Sequence, residues 1–247
     1  MKISKLRTQW IALLSAFYTA KICGHASLKR MLGKINRPWV DATIDNWATK
    51  LLGFIKVDLK VVNPYGVEPK PGKATIIMCN HTSLYDIPLS FKAFPNHSMR
   101  MLAKKELSRV PIMGKGMAAA EFPFIDRKNK HQAIKDLAFA RQLMESGIVI
   151  WLAPEGTRSK DGILKAFKKG GFVTAIEAKA TIIPIGIRGA YDILPAKTLR
   201  FNLHQKAEIH IGKPIDASQY TLENKNELIE KVHQAIKELV EGKTPSN

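Results

Sequence analysis

Three short runs of nearly unbroken apolar sequence constrain this chain more than any other feature. They occupy residues 74–79 (Ala-Thr-Ile-Ile-Met-Cys), 148–152 (Ile-Val-Ile-Trp-Leu) and 181–187 (Thr-Ile-Ile-Pro-Ile-Gly-Ile). A strand with one face in water alternates apolar and polar residues. A continuous run expects cover on both faces, as in a parallel sheet held between layers of helix. The segments between them carry other periods. Residues 57–62 alternate as a strand and end in the turn Asn63-Pro64-Tyr65-Gly66. Residues 85–94 read as a helix, 97–103 as a strand, and 122–127 as a short strand that Pro123 pushes toward an edge. An amphipathic helix over 132–146 stops at Gly147, a late strand covers 208–212, and a closing helix over 222–240 aligns Leu228, Val232, Ile236 and Leu239. Strands alternating with helices predict an α/β fold, a mostly parallel sheet flanked by helices in three layers.

The first forty residues follow a different plan. Lys2, Lys5 and Arg7 precede an apolar stretch at residues 10–20, which Lys21 closes. Eleven residues are too few for a spanning helix, which needs about twenty. The Lys21-Ile22-Cys23-Gly24-His25 that follows makes a poor signal-peptide cleavage site. Basic residues continue at Lys29, Arg30, Lys34 and Arg37, and charge on both flanks suits a segment lying in the membrane interface. A second helix places Ile44, Trp47, Ala48, Leu51, Leu52 and Ile55 on one side. The expectation is an N-terminal amphipathic two-helix membrane-association motif over 1–56, an α/β domain over 57–242 and a tail over 243–247.

Charge narrows the partners. Against 21 acidic residues stand 39 basic ones, a net charge of +18, which predicts an anionic partner: nucleic acid, an anionic membrane surface, or a phosphorylated or acidic substrate. The two cysteines, Cys23 and Cys79, make no disulfide framework, and with the seven histidines they make no zinc spacing. The chain contains no G-x-S-x-G elbow and no Walker-type loop. Gly114-Lys-Gly-Met-Ala-Ala119 nominally fits a dinucleotide fingerprint, but Val110-Pro-Ile-Met before it is too short and broken for the strand that motif requires.

The apolar run at 74–79 ends in Asn80-His81-Thr82-Ser83, with Asp86 in the first turn of the next helix and Thr82 and Ser83 as candidate caps. With His81 on the loop, Asp86 can reach back to one imidazole nitrogen and leave the other free as a general base. The alternative makes Asp86 a first-turn acid favoured by the helix dipole and His81 a turn residue. Pro154-Glu155-Gly156-Thr157-Arg158 follows the 148–152 strand, and ligands of open α/β sheets bind beyond such strand ends. Gly156 admits a close ligand, Thr157 can donate a hydrogen bond, Arg158 can fork onto a phosphate, and Glu155 stands beside it; a β-turn with a solvated ion pair fits the same residues. Phe124-Ile125-Asp126-Arg127 and Lys104-Lys105-Glu106-Leu107 repeat basic residues at further strand ends, a pattern of a phosphate-binding rim.

Together these stretches resemble the glycerolipid acyltransferase family, in particular its 1-acyl-sn-glycerol-3-phosphate acyltransferases. Asn80, His81 and Asp86 match its histidine–four-residue–aspartate motif. Phe124 to Arg127 match the second block, Pro154 to Arg158 the third, and Ile183-Pro184-Ile185 the fourth, in register over about residues 55–190. Ala153 departs from the family's usual phenylalanine. The resemblance implies transfer of a fatty acyl group from acyl-CoA or acyl carrier protein to the sn-2 hydroxyl of 1-acyl-sn-glycerol-3-phosphate, giving phosphatidic acid. In that scheme His81 is the base and Asp86 orients it; Lys105, Arg127 and Arg158 clamp the phosphate, and Glu155, Gly156 and Thr157 shape the pocket. The expected partners are a membrane lipid acceptor, an anionic membrane surface and the acyl carrier, with no nucleic acid, metal or cofactor. The expected place is the cytoplasmic face of the cell membrane, held monotopically. Two alternatives share the composition: an acyltransferase for another lysophospholipid or an amino-acid lipid, and a basic binding module without catalysis.

Overall fold

The computed structural model describes residues 4–242, so Lys2 and the expected 243–247 tail lie outside the described residues. In chain order the elements are α1 (Lys5–Met31), α2 (Arg37–Phe54), β1 (Asp58–Val62), β2 (Thr75–Cys79), α3 (Asp86–Phe91), β3 (Met99–Met101), β4 (Ala103–Lys104), α4 (Lys105–Ser108), α5 (Met113–Ala119) and β5 (Phe124–Ile125). There follow α6 (Lys130–Glu145), β6 (Val149–Leu152), α7 (Gly170–Glu177), β7 (Thr181–Arg188), α8 (Ala190–Ile193), β8 (Lys206–Ile211), β9 (Ile215–Asp216) and α9 (Lys225–Glu241).

The three apolar runs become β2, β6 and β7, which lie side by side at the centre of a sheet ordered β1-β8-β7-β2-β6-β3. β2 pairs in parallel with both β6 and β7, so that Ile77 stands between Trp151 and Ile183. β3–β6 and β1–β8 are also parallel, whereas β7 meets β8 and β9 antiparallel. Side chains alternate across the sheet as the pleat demands. Ile77 and Cys79 enter a core with α2 and α3, while Ile76 and Met78 enter a second core with α6, α7 and α9. This is the expected three-layer, mostly parallel arrangement. Pro184 is tolerated inside β7 because its carbonyl faces Gly212, and its missing N–H falls where the ladder changes from β9 to β8.

The strand expected over 97–103 is broken. After β3 the Leu102 N–H still donates to Trp151 O, but the Ala103 N–H turns to Pro123 O, and β4 pairs with β5 in a separate two-stranded sheet. Likewise α3 is shorter than the expected 85–94, because after Phe91 the chain tightens into a turn in which Lys92 N donates to Leu89 O and Ala93 N to Ser90 O.

The N-terminal helices form an antiparallel hairpin. Lys29 lies over the Trp39 ring at 5.0 Å, the Trp47 indole donates to Thr19 Oγ1 at 3.0 Å, and Tyr18 meets Phe54 edge-on. Two expectations change here. The helix does not stop with the eleven-residue apolar run: α1 holds 27 residues and is long and apolar enough, by length and composition, to cross a membrane. The two helices also do not share an apolar outer face. Val40, Ile44, Ala48, Leu51 and Leu52 of α2 are spent on the domain core, and only α1 presents Leu6, Trp10, Leu13 and Phe17 outward.

A polar seam docks the hairpin. Arg37, Asp41 and Asp45 recur every four residues on one face of α2. Arg37 binds Glu121 at 2.8 and 2.9 Å and also Ser146 O at 2.6 Å. Asp41 accepts from the wholly buried Arg100 at 2.7 Å, and Asp45 from Lys92. α5 in turn crosses α1 so closely that a Cβ on Gly116 would stand 2.4 Å from the Cys23 Cα. The glycines that mimic a dinucleotide fingerprint therefore serve helix packing.

Candidate active site

The site begins where β2 ends. The Asn80 side chain donates to Ile187 O at 2.9 Å and accepts from Ile187 N at 2.8 Å, locking the tip of β2 to the tip of β7. His81 is thereby presented on a fixed turn. Its N–H donates to Glu155 Oε1 at 2.6 Å, and its carbonyl accepts from Ser159 N at 2.7 Å. The backbone of the histidine is thus held from the adjacent β6 loop.

The ring is held from the other side. Asp86 Oδ2 lies 2.7 Å from His81 Nδ1 and also accepts from the N–H groups of Thr82 at 2.6 Å and Ser83 at 2.8 Å. Thr82 and Ser83 therefore do not cap α3 with their side chains; their backbones bind the acid that opens it, and Ser83 Oγ donates to Leu194 O. The Asp86 side chain is 0% exposed and that of His81 17%. A carboxylate with three donors on one oxygen fixes the imidazole tilt and, with Nδ1–H committed to it, leaves Nε2 as the basic nitrogen. Nε2 has no partner among the described residues, and Trp151 packs edge-on to the ring at 6.2 Å.

The second loop folds over the end of β6. Ala153 O accepts from Gly156 N at 3.0 Å, and Gly156 sits at φ +75°, a conformation that favours glycine. The Gly156 carbonyl accepts from Arg127 Nη1. Glu155 does not orient Arg158. It is buried, and its two oxygens accept from His81 N and, at 3.1 Å, Lys165 N; burial pushes its carboxyl pKa up against those bonds. Lys105 is 2.9 Å from Asp126, which it holds, with the N–H groups of Lys128 and Asn129, below the usual carboxylate range.

A cleft of about 500 Å³ opens beside this loop, lined by Arg127, Glu155, Gly156 and Thr157 together with Lys104, Lys128 and Lys168. Lys105 and Arg158 stand next to lining residues without lining it themselves. Lys128 and Lys168 are additions to the expected set. Lys168 was visible in sequence as one of several lysines after the loop, whereas Lys128 carried no signal. A second cavity of about 240 Å³, almost wholly apolar, runs between α1, α2, α3 and α5. Leu84 and Ile87, from the same turn and helix as His81 and Asp86, form part of its wall. The histidine turn thus stands between a cationic cleft and an apolar cavity. Neither cysteine offers a nucleophile, since burial pushes the Cys23 thiol up to about 11 and Cys79 well above its ordinary value.

The sequence model of the Acyltransferase family matches residues 61–188, from β1 to the end of β7, and so takes in the whole site. The chain belongs to that family. It is 36% identical over 168 residues to an uncharacterized acyltransferase of Schizosaccharomyces pombe, covering 66% of this chain and 59% of that protein. It is 31% identical over 201 residues to a 1-acyl-sn-glycerol-3-phosphate acyltransferase of Saccharomyces cerevisiae, covering 80% and 64%. The chain thus spans less than two thirds of these relatives' lengths. The crystal structure of the 1-acyl-sn-glycerophosphate (LPA) acyltransferase PlsC from Thermotoga maritima has the same fold, with a TM-score of 0.78 over 98% of this chain and 97% of that one at 23% identity.

Proposed function

We propose that this protein transfers a fatty acyl group from an acyl-CoA or acyl carrier protein thioester to the sn-2 hydroxyl of 1-acyl-sn-glycerol-3-phosphate. The observation that carries the reading is the position of His81 and Asp86 between a lysine- and arginine-lined cleft and an apolar cavity. A lysophosphatidate needs both: cations for its phosphate and an apolar space for its chain. His81 Nε2 takes the hydroxyl proton as that oxygen bonds to the thioester carbonyl carbon. The tetrahedral intermediate then expels the thiolate, which leaves with the proton from the imidazolium, while Asp86 stabilises the charged ring. The step as written uses no metal or cofactor.

Arg127 is the cation best placed for the phosphate, with Lys128 and Lys168 beside it and Lys105 and Arg158 completing the rim. A monoester carries a charge of about −1.5 to −2 near pH 7, which suits several cations better than a diester would. The net charge of +18 and the apolar outer face of α1 support a monotopic protein at the cytoplasmic face of an anionic membrane.

The test is acyl transfer to a panel of acceptors by the wild type and by His81→Ala. Lysophosphatidate should be the preferred acceptor. His81→Ala should lose transfer while still floating with anionic vesicles. Transfer only to other lysolipids would move the acceptor assignment, and retained activity in His81→Ala would end the dyad assignment.

A further inference from the structure

Between α4 and α5 the chain makes a tight turn whose tip is Val110-Pro111-Ile112. Val110 is 40% exposed and Ile112 52%, and charged Arg109 and Lys115 stand exposed on either side. Ile112 has φ +64° and ψ −55°, and it is the one β-branched residue at positive φ among the described residues. This is a γ-turn backbone, closed by Met113 N donating to Pro111 O at 2.6 Å, and it is strained for a residue with a side chain. About half of the side chain stays exposed.

The turn is rigid. Gly114 N donates to Val110 O at 2.9 Å and Gly116 N to Ile112 O at 3.0 Å, and any Cβ on Gly114 would collide with the Ser108 carbonyl. Ile112 therefore cannot fold inward. It lies against α1 instead, since a Cβ on Gly24 would come 3.7 Å from Ile112 Cγ2. One helical turn further along, Leu28 of α1 is also exposed, so the tip continues the apolar outer face of that helix. The apolar cavity reaches both this turn and the histidine turn: Met113, the residue after the tip, lines it, and so does Leu84, which is 51% exposed.

We propose that the 109–115 turn is a second membrane-inserting element. Its tip enters the acyl region of an anionic leaflet beside α1, with Arg109 and Lys115 at headgroup level. The cavity then opens into the leaflet at Leu84, and a lipid acceptor reaches His81 sideways without passing through water. Apolar residues at a rigid tip, flanked by cations and continuous with an apolar helix face, match a charged lipid surface. The route for the acceptor rests on the acyltransferase reading; the insertion of the tip does not.

The experiment uses the full chain with Val110→Cys carrying an environment-sensitive fluorophore. The native Cys23 and Cys79 are buried, so the label goes to the introduced thiol. A control label replaces Lys231 in α9, which packs on the opposite layer of the sheet. With phosphatidylcholine–phosphatidylglycerol vesicles, emission at 110 should rise and be quenched by lipids carrying a nitroxide on the acyl chain, while the label at 231 stays unchanged. No rise at 110 in protein that floats with the vesicles, or equal changes at both positions, would overturn the proposal. Val110→Asp supplies the functional arm. Its turnover of long-chain lysophosphatidate in vesicles should fall by about tenfold or more, the factor that burying one aliphatic side chain is worth. Turnover of a short-chain lysophosphatidate dissolved as monomers should stay at the wild-type level. Equal loss on both acceptors, or none on vesicles, counts against the lateral route. Absence of transfer by the wild type would remove the acyltransferase reading and leave the fluorescence result to decide insertion alone.

Discussion

Replacing Asp86 isolates the part of the dyad that the geometry defines best. Alanine is the wrong choice. It would strand three buried donors, His81 Nδ1–H and the N–H groups of Thr82 and Ser83. At about 1–3 kcal/mol each, the loss of roughly 3–9 kcal/mol rivals the whole stability of a domain, about 5–15 kcal/mol. The Asp86→Asn variant keeps an acceptor of the same shape in the same place, so the turn should persist. What disappears is the negative charge opposite the imidazolium that forms in the transition state. Unit charges about 4 Å apart attract by about 4 kcal/mol at an effective dielectric constant near 20, which corresponds to about 10³-fold in rate. The expected result is a kcat lowered about 10³-fold, a KM for lysophosphatidate within a few-fold of the wild type, and a cooperative thermal transition. The assay is thioester consumption under saturating acceptor, with unfolding followed by circular dichroism. A folded variant with kcat within about tenfold of the wild type would refute the assignment of Asp86 as counterion.

Two further outcomes follow from side chains outside the dyad. Arg127→Ala removes the lining cation that also donates to Gly156 O. It should raise KM for lysophosphatidate about 10- to 100-fold, the worth of one hydrogen bond to a charged group, and should change KM little for an acceptor without a phosphate monoester. Arg100→Ala should cost about 3–5 kcal/mol in urea unfolding because it leaves Asp41 without its buried partner. Arg100→Met should cost less by the cavity term alone, since the methionine fills the space with apolar atoms but leaves Asp41 as unpaired as alanine does.

What could be read from the chain was whatever a local pattern determines. β2, β6 and β7 were visible because strands buried on both faces leave a continuous apolar run. The meeting of His81 and Asp86 was visible because a strand end and a first helical turn lie close whatever surrounds them. The reach of α1 is not legible locally, because the apolar run ends at Lys21 but the helix does not: packing against α2 and α5 accompanies it on to Met31. The roles of Glu155 and Lys105 were also hidden. Glu155 binds a backbone N–H 74 residues earlier and Lys105 an acid 21 residues later, and no periodicity encodes such partners. The break at Leu102 has the same origin, since it depends on Pro123 offering a carbonyl to Ala103.

The polar seam of α2 has a consequence for synthesis. Its partners all come later in the chain, Lys92 by 47 residues, Arg100 by 59 and Glu121 by 84. At a synthesis rate of about 5–20 residues per second, Arg37 waits about 4–17 s for Glu121 to be made. Through that interval the apolar stripe of α2 has no core to join, and the outward face of α1 is already complete. The growing chain therefore carries the apolar outer face of α1 before it has a domain to hold. The ion pairs close afterwards and dock the finished domain onto the hairpin.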